Sequence, residues 1–245
     1  MVDHCISNSK PEEVEMAENI LKGIEGCVFD AYGTLFDFNA AAAHCRADLG
    51  EQADALSKIW RDKQLQYTWL RSLMGRHEDF WRVTGDALDF AMKSLQIRNE
   101  DLRDRLMALY KTLDVFPEVT STLEQLKSAG LKTAILSNGS PDMLLSAAKG
   151  TGITHLLDAI LSVEDAGIYK PHPSVYKLAV DSLSIASQAI CFVSANAWDA
   201  HGASDFGFKV IWCNRYGQGK ENLPGAPDVE VSTLREIPAI LAVKG

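Results

Sequence analysis

The sequence predicts an α/β fold: a parallel sheet with helices on both faces and a helical subdomain inserted after the first strand. Two observations support this prediction. From about residue 114 onward, short apolar runs alternate with helical stretches, as they do in parallel sheets built from strand–helix–strand units. Between 38 and 113 the apolar residues recur at helical spacing and no strand is indicated.

This pattern divides the chain into three parts. Residues 1–22 form an amino-terminal extension, 23–37 and 114–245 form a Rossmann-like α/β core, and 38–113 form a helical cap subdomain. A bundle inserted at that point can cover the carboxyl ends of the strands, where open parallel sheets bind their ligands.

The first core strand is the buried run Cys27-Val28-Phe29, which ends at Asp30. The later strands are predicted at 131–136, 159–162, 190–193 and 209–213, and the core helices at 119–129, 141–149 and 174–182. The cap helices are predicted at 40–48, 52–73, 77–95 and 102–112.

Composition excludes several classes of function. The chain has 245 residues and a formal net charge of -9, which argues against nucleic acid or an anionic membrane as a partner, because both require clustered Lys and Arg. No apolar run is long enough to span a bilayer. The first twenty residues are glutamate-rich and lack a long apolar stretch, so they do not read as a signal or transit peptide.

The five cysteines lack the spacing of a zinc site or a disulfide framework. Cys27, Cys191 and Cys213 lie in apolar strand-like runs, where a thiol is usually a small core residue. We therefore expect no metal site, no disulfide and a reducing, cytoplasmic location.

Four polar clusters follow predicted strands: Asp30, Ser137-Asn138, Lys170 and the segment Ser194–Asp199. Taken singly, each has a structural explanation as a helix cap or a solvated loop residue. Because the carboxyl ends of parallel strands lie at one edge of the sheet, we expect the four clusters to meet there.

The order and wording of these clusters resemble the haloacid dehalogenase superfamily, and within it the L-2-haloacid dehalogenases. The resemblance is carried by Phe29–Asp37, Trp60-Arg61, Tyr67–Leu70, Ile135–Ser140, Tyr169–Pro171 and Asn196–Asp199. It extends from about Gly23 to the final residues. It implies hydrolysis of short L-2-haloalkanoic acids to D-2-hydroxy acids, without a cofactor, in a homodimer.

Residue types at two positions separate this chemistry from phosphoryl transfer. Mg-dependent phosphatases of the superfamily carry a second Asp as general acid and an acidic metal ligand where this sequence has Tyr32 and Ala195. An alkoxide leaving group needs a proton, whereas a halide leaves as a stable anion. A phosphatase remains the alternative, because Asp30 and Asp199 could still hold Mg²⁺. A catalytically inactive binding protein is disfavoured, since every catalytic position carries a competent residue.

The hypothesis for the reaction starts with attack of the Asp30 carboxylate on the substrate α-carbon, which expels halide and forms an enzyme ester. Water then attacks the carboxyl carbon of Asp30, so the single displacement inverts the chiral centre. Lys170 is predicted to keep Asp30 ionised, and Arg61 to receive the departing halide.

The other predicted catalytic residues are Thr34, Ser194, Asn196 and Asp199. Thr34 and Ser194 are expected to form hydrogen bonds with Asp30 or Lys170. By resemblance, the asparagine holds the ester and the water, and the aspartate activates the water or orients the lysine. His201 is a second possible base.

The predicted substrate-binding residues are Ala31, Tyr32, Arg61, Leu65, Phe80, Ser137, Asn138, Tyr176 and Trp198. The serine and asparagine should bind the substrate carboxylate, and the apolar members should form a wall around the alkyl group. Two departures from the family pattern leave the substrate range open: Asp62 replaces a Gln beside Arg61, and Ala31 replaces a Leu.

Overall fold

The computed structural model describes residues 21–37 and 46–241. Most of the predicted amino-terminal extension, the start of the first predicted cap helix, Cys5 and Cys45 lie outside the described residues.

Six parallel strands form one sheet in the described part of the chain, in the order β3-β2-β1-β4-β5-β6. Their bounds are β1 Gly26–Phe29, β2 Lys132–Ser137, β3 Ala159–Ser162, β4 Ile190–Ser194, β5 Lys209–Cys213 and β6 Val229–Val231. Phe29 of β1 pairs with Ile135 of β2 on one side and Val193 of β4 on the other. Asp30, the residue after Phe29, therefore lies at the carboxyl end of a central strand, between the ends of β2 and β4.

The helices lie between these strands in sequence. They are α1 Arg46–Leu49, α2 Ala53–Leu73, α3 Phe80–Ser94, α4 Glu100–Leu109, α5 Val119–Ser128, α6 Pro141–Gly150, α7 Pro173–Leu183, α8 Ala197–Phe206 and α9 Ile237–Ile240. Short 3₁₀ turns occupy Gly50–Gln52, Ile153–Leu156, Val163–Asp165, Ser187–Ala189 and Leu234–Glu236. The alternation of helices with parallel strands confirms the predicted α/β class.

Helix starts are set by side-chain caps that the hydrophobic pattern does not reveal. Helix α3 begins at Phe80 rather than at His77, because the Asp79 carboxylate accepts the N–H of Trp81 at 2.8 Å. After α5, the N–H of Leu131 bonds back to the carbonyl of Leu126, so β2 begins one residue later than predicted.

Strand β6 and helix α9 are not predicted from the sequence. Strand β6 is three residues long, with Val229 and Val231 buried and Glu230 exposed, and α9 is a single turn. Segments this short carry too few repeats to reveal a period.

The interior of the sheet is apolar and includes three thiols. Cys27, Cys191 and Cys213 are buried and form no disulfide. None of the described helices combines the length and apolar character that crossing a membrane requires.

Polar contacts hold the helical segment between β1 and β2 against the sheet edge. Glu164, just after β3, accepts hydrogen bonds from Nε2 of His77 at 2.8 Å and from the N–H of Phe80 at 3.2 Å. The hydroxyl of Tyr169 donates to the carbonyl of Glu78. Helices α2 and α3 are thereby fixed next to the strand ends; the cap boundaries 38–113 remain a prediction.

Candidate active site

The chain turns sharply after β1 and leaves Asp30 at the strand end. The carbonyl of Ala31 accepts the N–H groups of Leu35 at 2.9 Å and Phe36 at 3.0 Å, and Gly33 takes a φ of +86° that favours glycine. Asp30 is 6% exposed and Ala31 is fully buried.

Lys170 joins two carboxylates. Its Nζ lies 3.2 Å from Oδ1 of Asp30 and 2.9 Å from Oδ2 of Asp199, and it sits 4.9 Å from the ring centroid of Phe192. Lys170 is 1% exposed and Asp199 is fully buried. The end of β1, the first turn of α8 after β4 and the loop after β3 thus bring three charges together away from water.

The charges shift one another's protonation. Burial works against the Lys170 ammonium, but Asp199 and Asp30 outweigh burial and raise the lysine pKa. Burial raises the pKa of Asp199 to about 6, because Lys170 offsets it only in part while Asp30 adds to it. One ammonium shared by two carboxylates cannot neutralise both, so the trio carries a net negative charge when fully ionised.

Tyr176 contacts Asp199 instead of lining an open pocket. Its hydroxyl donates to Oδ1 of Asp199 at 2.8 Å, and its ring packs edge-on against Phe192. Burial raises the Tyr176 pKa well above its usual value, so the group remains a donor. The residue was predicted to bind substrate, but it is fully buried behind Asp199.

Asn196 links the nucleophile to the helical segment. Its Nδ2 donates to Oδ2 of Asp30 at 2.8 Å, and its Oδ1 accepts from Nη2 of Arg61 at 3.1 Å. Nη1 of Arg61 donates to Oε1 of Gln64 at 2.8 Å. Gln64 was not predicted, although its position three residues after Arg61 on a helix could have indicated the contact.

Thr34 and Ser194 hold different partners. The Thr34 hydroxyl lies 3.4 Å from Oδ2 of Asp30 and accepts the N–H of Ala195 at 2.8 Å. The predicted bond from Ser194 to Asp30 or Lys170 is not seen among the described residues. The Ser194 hydroxyl instead accepts the N–H of Asn196 at 3.1 Å and so shapes the turn that presents Asn196.

A buried ion pair that was not predicted from the sequence supports the turn after Asp30. Nη1 of Arg215 lies 2.5 Å from Oε1 of Glu118, and Nη2 donates to the carbonyl of Thr34 at 3.0 Å. The guanidinium stacks 3.9 Å from the ring centroid of Phe116. Arg215 follows β5, so a fifth strand end contributes to this edge; its place just after a predicted strand was the available signal.

Ser137 and Asn138 lie at the end of β2, beside Asp30. The Ser137 hydroxyl accepts the N–H of Gly139 at 3.1 Å, and Oδ1 of Asn138 accepts the N–H of Lys170 at 3.2 Å. Ser137 thus shapes the turn after β2, and Asn138 ties that turn to the loop that carries Lys170. Helix α6 begins just beyond the turn, after Ser140. A helix N-terminus favours a bound anion.

Aromatic side chains enclose the other side of the nucleophile. Tyr32 stacks on Phe80 with centroids 6.0 Å apart and tilts against Tyr110 at 5.8 Å. Phe80 is fully buried. Burial raises the pKa of the Tyr32 phenol, so the group stays protonated.

A cavity of about 480 Å³ lies between the helical segment and the strand ends. Its lining includes Gly33, Arg61, Asp62, Leu65, Asn196, Trp198, Tyr216, Gln218 and Glu221. The exposed Asp62 pairs with Lys58 at 2.9 Å. Larger grooves on the outer faces of α3 and α4 contain none of the predicted site residues.

His201 is separated from this cluster in its contacts. Its Nδ1 lies 3.3 Å from the carbonyl oxygen of Pro224, and the residue lines a different cavity with Lys220. Of the two bases considered, Asp199 is the one in contact with Lys170.

Comparisons with known proteins show which chains this one is similar to. The family model described as haloacid dehalogenase-like hydrolase matches residues 24–207. The chain is 45% identical over 219 residues to (S)-2-haloacid dehalogenase 1 of Pseudomonas sp. (strain CBS-3), covering 89% of this chain and 96% of the relative. It is 43% identical over 224 residues to (S)-2-haloacid dehalogenase 4A of Burkholderia cepacia, covering 91% and 97%.

A solved structure matches over nearly the same length. This is the L-2-haloacid dehalogenase from Xanthobacter autotrophicus with chloropropionic acid covalently bound. The TM-score is 0.84 at 35% identity, and the match covers 91% of this chain and all of that one.

Proposed function

Because the chain belongs to the haloacid dehalogenase-like hydrolases, we propose that it is an (S)-2-haloacid dehalogenase, which converts short L-2-haloalkanoic acids to D-2-hydroxy acids. The observation that carries the proposal is the Asp30 carboxylate, buried at the end of β1 and bonded to the shared ammonium of Lys170. A relative 35% identical to this chain is a dehalogenase that holds chloropropionic acid covalently.

In the first half of the reaction, Asp30 attacks the α-carbon from the side opposite the halogen and forms an ester. A carboxylate is a weak nucleophile in water, so burial and the ammonium of Lys170 must keep it ionised and free of solvent. Asn196 fixes its second oxygen at 2.8 Å. Inversion follows, because the second step breaks a bond at the Asp30 carboxyl carbon and leaves the chiral centre untouched.

The halide leaves towards Arg61. The Arg61 guanidinium comes from helix α2 on the helical side of the nucleophile, and Gln64 and Asn196 hold it through hydrogen bonds of 2.8 and 3.1 Å. Such preorganised donors stabilise charge as it develops in the transition state.

In the second half, water attacks the ester. Asp199 fits two roles here: it orients Lys170 through Oδ2, and its raised pKa lets it accept a proton near neutral pH. The substrate carboxylate is assigned to the end of β2, at Ser137, Asn138 and the start of α6.

The reaction is proposed to need no metal. Both oxygens of Asp199 already accept hydrogen bonds, from Lys170 and Tyr176, and Asp30 is held by Lys170 and Asn196. Mg²⁺ would have to displace these donors. Tyr32, in place of an acidic residue, also offers no carboxylic acid to an alkoxide leaving group.

The oligomeric state and the location of the protein are also part of this proposal. We expect a homodimer, because Leu70, Leu73 and Met74 form an exposed apolar patch at the end of α2, with Leu73 85% exposed. We expect a cytoplasmic location, because three buried thiols suit a reducing compartment. Light scattering during size-exclusion chromatography tests the first, and cell fractionation tests the second.

The decisive experiment measures halide release from each enantiomer of 2-chloropropionate, with and without chelator. We expect release from the S enantiomer only, unaffected by chelator, with D-lactate as product. In a single turnover in heavy-oxygen water, the label should enter Asp30 and not the product. Label in the lactate would exclude the ester; phosphate release that requires Mg²⁺ would favour the phosphatase.

A further inference from the structure

The hydroxyl of Tyr32 is a buried polar group beside the predicted nucleophile. Tyr32 is 3% exposed, and its Oη has no hydrogen-bond partner in the described part of the chain. Buried hydroxyls are nearly always hydrogen-bonded, and leaving one unpaired costs folding free energy. An unpaired donor beside a nucleophile therefore indicates a ligand group that completes it.

The ring fixes where this hydroxyl lies. Contacts with Phe80, Tyr110 and Phe36 hold it on three sides, with centroids 5.8 to 6.4 Å away. A Cβ added to Gly139 would lie 3.0 Å from Oη and 2.8 Å from Cε2 of Tyr32. The hydroxyl therefore reaches the turn after β2, and a glycine there makes room for it.

We propose that the Tyr32 hydroxyl donates a hydrogen bond to the carboxylate of the haloacid substrate. The assignment rests on the proposed function. It adds a side-chain donor to the carboxylate-binding site proposed at the end of β2. Its neighbours there, Ser137 and Asn138, use their side-chain oxygens to accept the N–H of Gly139 in the turn and the N–H of Lys170 in the loop after β3. Tyr32 adds to them a buried O–H donor that no protein acceptor in the described residues occupies.

The carboxylate is favoured over the halide as acceptor by position. Oη lies against the turn after β2, since a Cβ added to Gly139 would lie 3.0 Å from it, whereas Arg61 donates to Asn196 after β4. Strands β2 and β4 flank β1 on opposite sides. The substrate carboxylate and the departing halide would thus be bound on opposite sides of Asp30. Burial keeps the phenol protonated, so it can donate to an anion at every working pH.

The test is Tyr32→Phe, which removes one oxygen and keeps the ring. The substrate carboxylate carries the same charge in the ground state and the transition state. Removing the hydrogen bond from the Tyr32 hydroxyl should therefore raise KM and leave kcat within about twofold. A hydrogen bond to a charged group predicts a rise of about 10- to 100-fold. The factor should be equal for chloro- and bromopropionate, and the calorimetric Kd of propionate, which lacks a halogen, should rise in parallel.

Urea denaturation separates this role from a structural one. Tyr32→Phe should be as stable as the wild type or more stable, because the lost hydroxyl has no partner in the described residues. Tyr169→Phe is the matched control: its hydroxyl donates to Glu78, so it should lose stability and keep KM.

Each outcome decides the assignment. Unchanged KM and unchanged propionate affinity would overturn it, as would a fall in kcat that differs between chloride and bromide at constant KM. Wild type that binds propionate through Tyr32 but releases no halide would refute the proposed function and keep the carboxylate site. Absence of propionate binding to the wild type would overturn the site.

Discussion

Replacing Lys170 by Met tests the charge arrangement on which the proposed mechanism depends. The ammonium lies 3.2 Å from one buried carboxylate and 2.9 Å from another. At an effective dielectric near 20, each contact is worth about 5 to 6 kcal/mol before the cost of desolvation. Removing one partner of a buried pair typically costs about 3–5 kcal/mol, because the other charge stays buried and unpaired. We expect that loss in the free energy of unfolding at pH 8, together with loss of ester formation.

The pH dependence of the loss is the sharper result. Without the ammonium, the pKa of Asp199, already raised to about 6, should rise further. A carboxyl pKa raised in the folded state gives stability that is present at low pH and is lost as pH rises through the folded pKa. The deficit of the variant should therefore shrink from pH 8 to pH 5, by about 1.4 kcal/mol per pH unit for each extra proton bound by the folded protein.

Urea denaturation followed by tryptophan fluorescence at pH 5, 6.5 and 8 measures this slope. Lys127→Met is the control, because Lys127 pairs with the partly exposed Asp158 at 2.8 Å and should cost no more than about 1 kcal/mol with little pH slope. An equal deficit for Lys170→Met at all three pH values would refute the electrostatic reasoning and leave only a packing role for the side chain.

Three further variants test the contacts of Asp199, Tyr176 and Arg215. Asp199→Asn should give a burst of one halide per site, followed by turnover slowed by about 100-fold or more. Rapid-quench assays measure the burst, and its absence would show that Asp199 also serves the first step. Tyr176→Phe removes a hydrogen bond that lowers the Asp199 pKa, so the acid limb of the kcat profile, expected near pH 6, should move to higher pH; an unmoved limb would assign the titration to another group. Arg215→Met leaves Glu118 buried without its cation and should cost about 3–5 kcal/mol of unfolding free energy; the double variant with Glu118→Leu should recover most of it, and an additive loss would contradict the pairing.

The sequence predicted the fold well where pattern and position carry the information. Strands were found because apolar runs alternate with helices, and Asp30 and Lys170 were found because they follow strands whose ends must meet. Three-residue β6 lacked a periodic signal. Helix starts shifted where a single side chain, such as Asp79, caps the backbone.

The contact partners of the site residues were harder to predict. The Tyr176 hydroxyl donates to Asp199, and the Ser194 hydroxyl accepts the N–H of Asn196. Residue types alone do not indicate these partners, because the partners depend on how the chain packs in three dimensions. Arg215 acts on the turn through the carbonyl of Thr34, and a backbone acceptor has no signature in residue types.

The bond between Arg61 and Asn196 also bears on how the enzyme would cycle. One residue comes from helix α2 and the other from the turn after β4, so the bond spans the junction between helices and sheet. If helix α2 moved away from the turn after β4, Arg61 would move away from Asp30 in the same movement. Substrate would then enter and halide would leave through the same opening, and the reaction would proceed only while that opening is closed.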